Sequence, residues 1–147
     1  MTNEPLEILL ADDDENDRIL FQDVLNEIKI NTKLHTVNDG QFLMEYITEH
    51  ADNLPQLLFL DLNMPRKNGI ECLKELRKIY SKEITICIFS TSSHNKDIED
   101  TFLHGANIFM TKPSSFKELK EALNRVVVAA YTYQNTFFNK DNFLLKV

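Results

Sequence analysis

Short, almost uninterrupted apolar runs alternate along this chain with longer stretches in which apolar residues recur every three or four positions. Residues 6–11 (LEILLA) read as a buried strand. Residues 16–28 then place Leu20, Phe21, Val24, Leu25 and Ile28 on one helical face. Residues 33–37 (KLHTV) form a second strand, and Asn38-Asp39-Gly40 turns the chain into a helix marked by Phe42, Leu43, Tyr46 and Ile47. Leu57 to Leu60 is a third strand, bracketed by Pro55 and Pro65. Gly69 opens a helix with Cys72, Leu73, Leu76, Ile79 and Tyr80 on one side, and residues 84–90 (ITICIFS) follow as a strand rich in β-branched side chains. A short helix over 97–104 stops at Gly105, placed as a C′ residue. Residues 107–111 (NIFMT) are the fifth strand. Ser115, with Glu118 at capping-box spacing, starts a last helix whose stripe is Phe116, Leu119, Leu123, Val126, Val127 and Ala130.

All three glycines and all four prolines fall between these elements, so local and global signals agree. Five apolar strands alternating with five helices predict an α/β fold: a doubly wound, five-stranded parallel sheet covered on both faces. Residues 1–132 make one domain on this reading. The tail, 133–147, carries Phe137, Phe138, Phe143, Leu144, Leu145 and Val147. That is too apolar for a solvated tail, so it is expected either to clasp its own domain or to form part of a homodimer contact.

Bulk composition narrows the function. Of 147 residues, 43% are hydrophobic and 27% charged, and the net charge is −7. This balance argues against a nucleic-acid surface, which needs a basic stripe. The opening MTNEPLE has neither the basic nor the apolar segment of a secretion signal. No apolar run approaches the roughly 20 residues of a membrane helix. Cys72 and Cys87 lie in apolar segments without metal-type spacing and read as reduced core cysteines. The four histidines are scattered. The expectation is a cytoplasmic protein, not on a membrane, that meets a specific protein partner.

Ligands of doubly wound sheets bind beyond the carboxyl ends of the strands, so the strand tips carry the chemistry. The first strand ends in Asp12-Asp13-Asp14-Glu15, the third in Asp61 and then Asn63, the fourth in Ser90-Thr91-Ser92-Ser93, and the fifth in Thr111-Lys112-Pro113. Crowded carboxylates repel unless a cation joins them. Hard oxygen donors without His or Cys suit Mg²⁺. A metal and the Lys112 ammonium facing one carboxylate form a receptacle for a phosphoryl group, with Ser90 as a hydrogen-bond donor. Asp61, the central carboxylate, is then the nucleophile, giving an aspartyl phosphate. Each feature alone has an ordinary explanation. Acids before a helix serve as caps, above all Asp14 and Glu15, and Asp or Lys beside Pro is common turn material.

These same motifs carry a resemblance. The acidic pair Asp12-Asp13, LDLNMPRKNG around Asp61, the hydroxyl in IFST and GANIFMTKP ending in Lys112-Pro113 resemble, in order and spacing, the receiver domain of two-component response regulators from about Leu6 to Tyr131. The resemblance implies a flavodoxin-like strand order 2-1-3-4-5. It implies that Asp61 accepts a phosphoryl group from a phosphohistidine on a sensor histidine kinase or phosphotransfer protein. Asp13, Asp61 and the Asn63 carbonyl would hold Mg²⁺, with Asp12 acting through water. Lys112 would contact the phosphoryl group, Ser90 would shift toward it, and Phe109 would turn inward with that shift. The Lys112–Pro113 bond would be cis. Thr91 stands where many members carry Ala or Gly and is expected to narrow access to Asp61, while Asn63 and Ser92 occupy positions that tune the lifetime of the aspartyl phosphate.

NMPRKNG and the Ser/Thr-rich loop at 90–93 look like the stand-alone regulators that serve phytochrome or hybrid kinases. Output would be protein–protein, toward a downstream target, with the surface of the last two helices and fifth strand available for a homodimer. Such a protein is not an enzyme acting on a separate substrate; it promotes its own phosphotransfer and autodephosphorylation. The alternative, a haloacid-dehalogenase-type phosphatase, also uses a strand-end Asp. It needs a second Asp two residues on, where this chain has Asn63, and an acidic pair after the nucleophile rather than before it. A flavodoxin-type carrier would need a Ser/Thr/Gly phosphate loop where DDDEND stands.

Overall fold

A computed structural model describes residues 4–80, 83–133 and 144–145. Its elements are β1 (Leu6–Ala11), α1 (Glu15–Leu25), β2 (Thr32–Val37), α2 (Gly40–Glu49), β3 (Leu57–Leu60), α3 (Gly69–Ile79), β4 (Thr85–Ser90), α4 (Asn95–Leu103), β5 (Ile108–Thr111), α5 (Phe116–Tyr133) and β6 (Leu144–Leu145). The described strands form one sheet in the order β2-β1-β3-β4-β5-β6, with every pairing parallel. The doubly wound fold and the order 2-1-3-4-5 are as expected. The strand count is corrected: Leu144 and Leu145 add a sixth, short strand beside Phe109 and Met110.

Two apolar layers flank the sheet. Phe21, Val24 and Leu25 of α1 and Leu119, Leu123, Val126 and Val127 of α5 pack on one face with Leu10, Phe59 and Met110. Leu43 and Ile47 of α2 and Cys72, Leu73 and Leu76 of α3 cover the other with Leu9, Leu58, Ile88 and Phe109. Because both faces are covered, β3 and β4 are buried at every position, which is why their sequences run apolar without alternation. Phe21, Phe59 and Phe89 pack edge to face, the first pair with centroids 4.8 Å apart. Both cysteines are buried and free. Burial pushes the Cys72 thiol up to about 12 and the Cys87 thiol higher still, so both are inert core residues.

Side chains cap the entries of α1, α2, α3 and α5, while His94 before α4 makes no such bond. Asp14 accepts from the Asp17 amide, Asp39 from the Phe42 amide, and Asn68 and Glu71 form a full capping box. Ser115 Oγ accepts from the Glu118 amide at 3.1 Å. Gly105 has φ +97° directly after α4, the left-handed conformation that its placement as C′ anticipated. One boundary is corrected. α1 ends at Leu25, and Ile28 contributes its buried side chain from the turn beyond. In the tail, Leu145 packs against the layer holding α1 and α5; Phe137, Phe138, Phe143 and Val147 lie outside the described residues.

Candidate functional site at the strand tips

The three charged site residues sit one step past their strands and are held there by ladder hydrogen bonds. The Asp12 amide donates to the Val37 carbonyl (3.1 Å), the Asp61 amide to that of Ala11 (3.0 Å), and the Lys112 amide to that of Ser90 (2.7 Å). The backbone of the sheet therefore aims these side chains before any ligand arrives. Gly69 completes the frame. A Cβ there would lie 2.3 Å from the Asp61 carbonyl oxygen and 2.7 Å from Leu62 Cα, so only glycine lets α3 approach the loop that carries Asp61. Leu62 and Met64 are buried beneath that loop.

At the mouth of the site, carboxylate oxygens of Asp12, Asp13 and Asp61 all lie within 4.8 Å of one another. Asp12 and Asp61 are buried, and Asp13 is exposed. Lys112 Nζ lies 2.9 Å from Asp12 Oδ2, 2.8 Å from Asp17 Oδ2 and 3.3 Å from Asp61 Oδ2. The contacts to Asp17 and Asp61 are hydrogen bonds. The Asp12 contact is close enough for charge attraction but lacks hydrogen-bond alignment, which leaves buried Asp12 Oδ2 without a hydrogen-bond partner among the described residues. Asp12 Oδ1 accepts from the Asp14 amide, and Asp61 Oδ1 from the Asn63 amide at 3.3 Å. Three converging carboxylates, one with an orphaned oxygen, fit a hard divalent cation.

Burial dominates the electrostatics. It raises the Asp61 carboxyl to about 6: Lys112 pulls the other way, and the neighbouring Asp12 charge adds to the rise. Asp12 is raised for the same first reason, against the pull of the Lys112 ammonium beside it. Burial would depress the Lys112 ammonium, but its hydrogen bond to Asp17 and the close Asp12 and Asp61 carboxylates outweigh it, so the group is held strongly protonated. Asp61 therefore favours its protonated form in the folded state more than in the unfolded one. Its contribution to stability is present at low pH and lost as pH rises through about 6. Without divalent cations, wild type is expected to gain about 2 kcal/mol over Asp61→Asn between roughly pH 8 and pH 4.5. Urea titrations of the two proteins in chelator measure this difference; a gap that does not change with pH contradicts the assignment.

The other expected site residues divide. Ser90 is fully buried at the end of β4, and its Oγ accepts from the Ser92 amide at 3.1 Å. Ser92 Oγ donates to Asp97 Oδ2 at 2.6 Å, tying the β4–α4 loop to the first turn of α4. Asn63 and Thr91 are exposed. Phe109 is fully buried between the sheet and the α2–α3 side, so its ring lies inward in this structure. The Lys112–Pro113 bond corrects the cis expectation, since there are no cis bonds among the described residues; trans is the isomer that X–Pro prefers by about 0.5–1 kcal/mol.

Asp17 was not singled out by the sequence. An acid in the first turn of a helix is explained by the dipole alone, and only the approach of α1 to the tip of β5 brings it against Lys112. Arg18 beside it donates from Nη1 to the Asp12 carbonyl at 2.7 Å.

Among the described residues, no helix is long and apolar enough to cross a membrane. The sequence profile of the response regulator receiver domain matches residues 8–124. Response regulator Rcp1 of Synechocystis is 31% identical over 123 residues, covering 80% of this chain and 84% of its own. The nitrate/nitrite response regulator NarL of Escherichia coli K12 is 33% identical over 122 residues, 83% of this chain and 55% of that protein. Among solved structures, the phosphorylated cyanobacterial phytochrome response regulator RcpA superposes with a TM-score of 0.79 at 27% identity, covering 88% of this chain and 96% of the other. The Mn²⁺-bound form of Rcp1 gives 0.74 at 28%, covering 90% and 96%. With an acidic pair, a strand-end aspartate and a lysine converging at the tips of a 2-1-3-4-5 sheet, this chain belongs to the response regulator receiver domain family, the phosphoacceptor modules of two-component signalling.

Proposed function

We propose that Asp61 is the phosphoacceptor, that Asp12, Asp13 and Asp61 with Asn63 hold Mg²⁺, and that the phosphorylated chain signals by binding another protein. The observation that carries this reading is the meeting of Asp12, Asp13 and Asp61 oxygens with Lys112 Nζ at one point above the sheet. The metal, when bound, neutralises phosphoryl oxygens and the acidic cluster. Asp61 attacks phosphorus through a carboxylate oxygen, the donor's P–N or P–O bond breaks, and the leaving group departs with the bonding pair. Lys112 neutralises the incoming oxygens. Ser90, buried at the end of β4, donates to one of them and passes the change to the 90–93 loop. Thr91, Ser92 and Asn63 border the reacting atoms and set the lifetime of the product.

The donor is a phosphohistidine on a sensor kinase or phosphotransfer protein. The relatives named for phytochrome responses support a phytochrome-type or hybrid kinase. Lability to alkali and hydroxylamine marks the product as an acyl phosphate. Labelling by a small phosphodonor is expected to need a divalent cation and to fall at least tenfold in Asp13→Ala or in chelator. Undiminished labelling in excess chelator would remove the metal from this account.

The tail enters the same proposal as an output element. Leu144 pairs with Phe109 and Leu145 with Met110, so β6 rests on the strand that carries the switch aromatic. Edge strands are ready templates for pairing, and a two-fold contact would cover this face. Truncation after Thr132 is expected to convert a dimer to a monomer in sedimentation while Asp61 still accepts phosphate. A full-length protein that is monomeric at high micromolar concentration, phosphorylated or not, leaves the tail as a clasp on its own domain.

A further inference from the structure

The Lys112 ammonium has three protons and three carboxylates within 3.3 Å: Asp12, Asp17 and Asp61. A phosphoryl oxygen that recruits Lys112 must take the place of one of them. Asp61 carries the group, and Asp12 is buried, held by the Asp14 amide and turned toward the metal cluster. Asp17 is the partner that can let go. Its side chain is 34% exposed, so water can replace the ammonium. It is also placed rigidly, because its amide is capped by Asp14 Oδ1 at 3.1 Å in the first turn of α1. It lies outside the group of three carboxylates that can share a cation.

We propose that Asp17 is a positioning residue that holds Lys112 toward α1 in the resting site and is displaced when a phosphoryl group arrives. Asp17 thereby opposes the phosphorylated state in two ways of the same sign. It competes for the ammonium, and its negative charge repels the incoming anion. The inference rests on the assignment of Asp61 and Lys112 above and extends it to a residue of α1.

Beryllofluoride, a stand-in for the phosphoryl group, provides an equilibrium test with Mg²⁺ and the full chain. Asp17→Asn is expected to tighten beryllofluoride binding about three- to tenfold, and Asp17→Glu to restore wild-type affinity within about twofold. Mg²⁺ affinity measured alone is expected to fall no more than about threefold in Asp17→Asn, the effect of one nearby charge, whereas loss of a metal ligand would weaken it by about tenfold or more. Glu15→Gln removes a charge from the same helical turn at an exposed position and is expected to change beryllofluoride affinity less than twofold. Unchanged or weaker binding by Asp17→Asn, or an equal gain in Glu15→Gln, overturns the role of Asp17. Failure of wild type to bind beryllofluoride overturns the phosphoacceptor assignment itself, so the two failures are distinguishable.

Discussion

Asp61→Asn is expected to reduce phosphoryl uptake below detection while making the metal-free protein more stable at neutral pH. The two effects share one cause. Burial and the Asp12 charge hold the Asp61 carboxyl near 6, so keeping it ionised at pH 7 costs the fold roughly 2–3 kcal/mol relative to an ordinary carboxyl. An amide of the same shape carries no charge to desolvate and cannot attack phosphorus. Function thus depends on a group that stability disfavours, the trade-off typical of active sites. Labelling with a small phosphodonor and a urea titration in chelator measure the two halves. A variant that loses labelling but is also less stable would mean that Asp61 acts as a structural partner of Lys112 first.

Lys112→Ala is expected to have the second largest effect, with the opposite sign on stability. Removing the ammonium leaves buried Asp12 and Asp61 facing each other without a counter-charge. Breaking a buried pair in this way costs about 3–5 kcal/mol. Mg²⁺ is expected to recover a large part of that loss by replacing the missing positive charge. Phosphoryl uptake should fall only in part, because the metal still neutralises the donor. The conformational response should be largely lost, because no cation links the phosphoryl oxygen to the tip of β5. Ser90→Ala provides the comparison: it is expected to take up phosphate yet shift little, since only the hydroxyl joins that oxygen to the 90–93 loop. Amide spectra of the free and phosphorylated forms around Phe109 report this. A full wild-type shift in either variant would place the switch elsewhere.

How far these residues could be read from the sequence follows from their physical scale. The strand ending in Asp61 was legible because a parallel strand covered on both faces has to be apolar throughout, so a carboxylate at its end stands out. Ser90 and Lys112 were legible because they follow equally apolar runs, and the doubly wound topology places such ends side by side. Gly105 was legible because ending a helix in the left-handed conformation is a local demand. Asp17 was not, since its contact with Lys112 spans 95 positions and leaves no mark in the periodicity of α1. The sixth strand was hidden for a related reason. Two leucines in a tail show no strand pattern of their own, and only the open edge of β5 gives them a partner. The geometry of the Lys112–Pro113 bond was carried over from the family resemblance and differs here. The placement of Phe109 shows a limit of another kind: sequence assigns the ring to a switch, and the structure places it fully inward.

The central claim is that one carboxylate, Asp61, receives the phosphoryl group. The most direct measurement treats the full chain with a small phosphodonor and Mg²⁺, traps the acyl phosphate by borohydride reduction, and locates the reduced residue by peptide mass spectrometry. The account predicts one modified position, Asp61, at a stoichiometry approaching one group per chain and absent in chelator. Reduction at Asp12, Asp13 or Asp17 instead, or a modified chain with Asp61 intact, would contradict it.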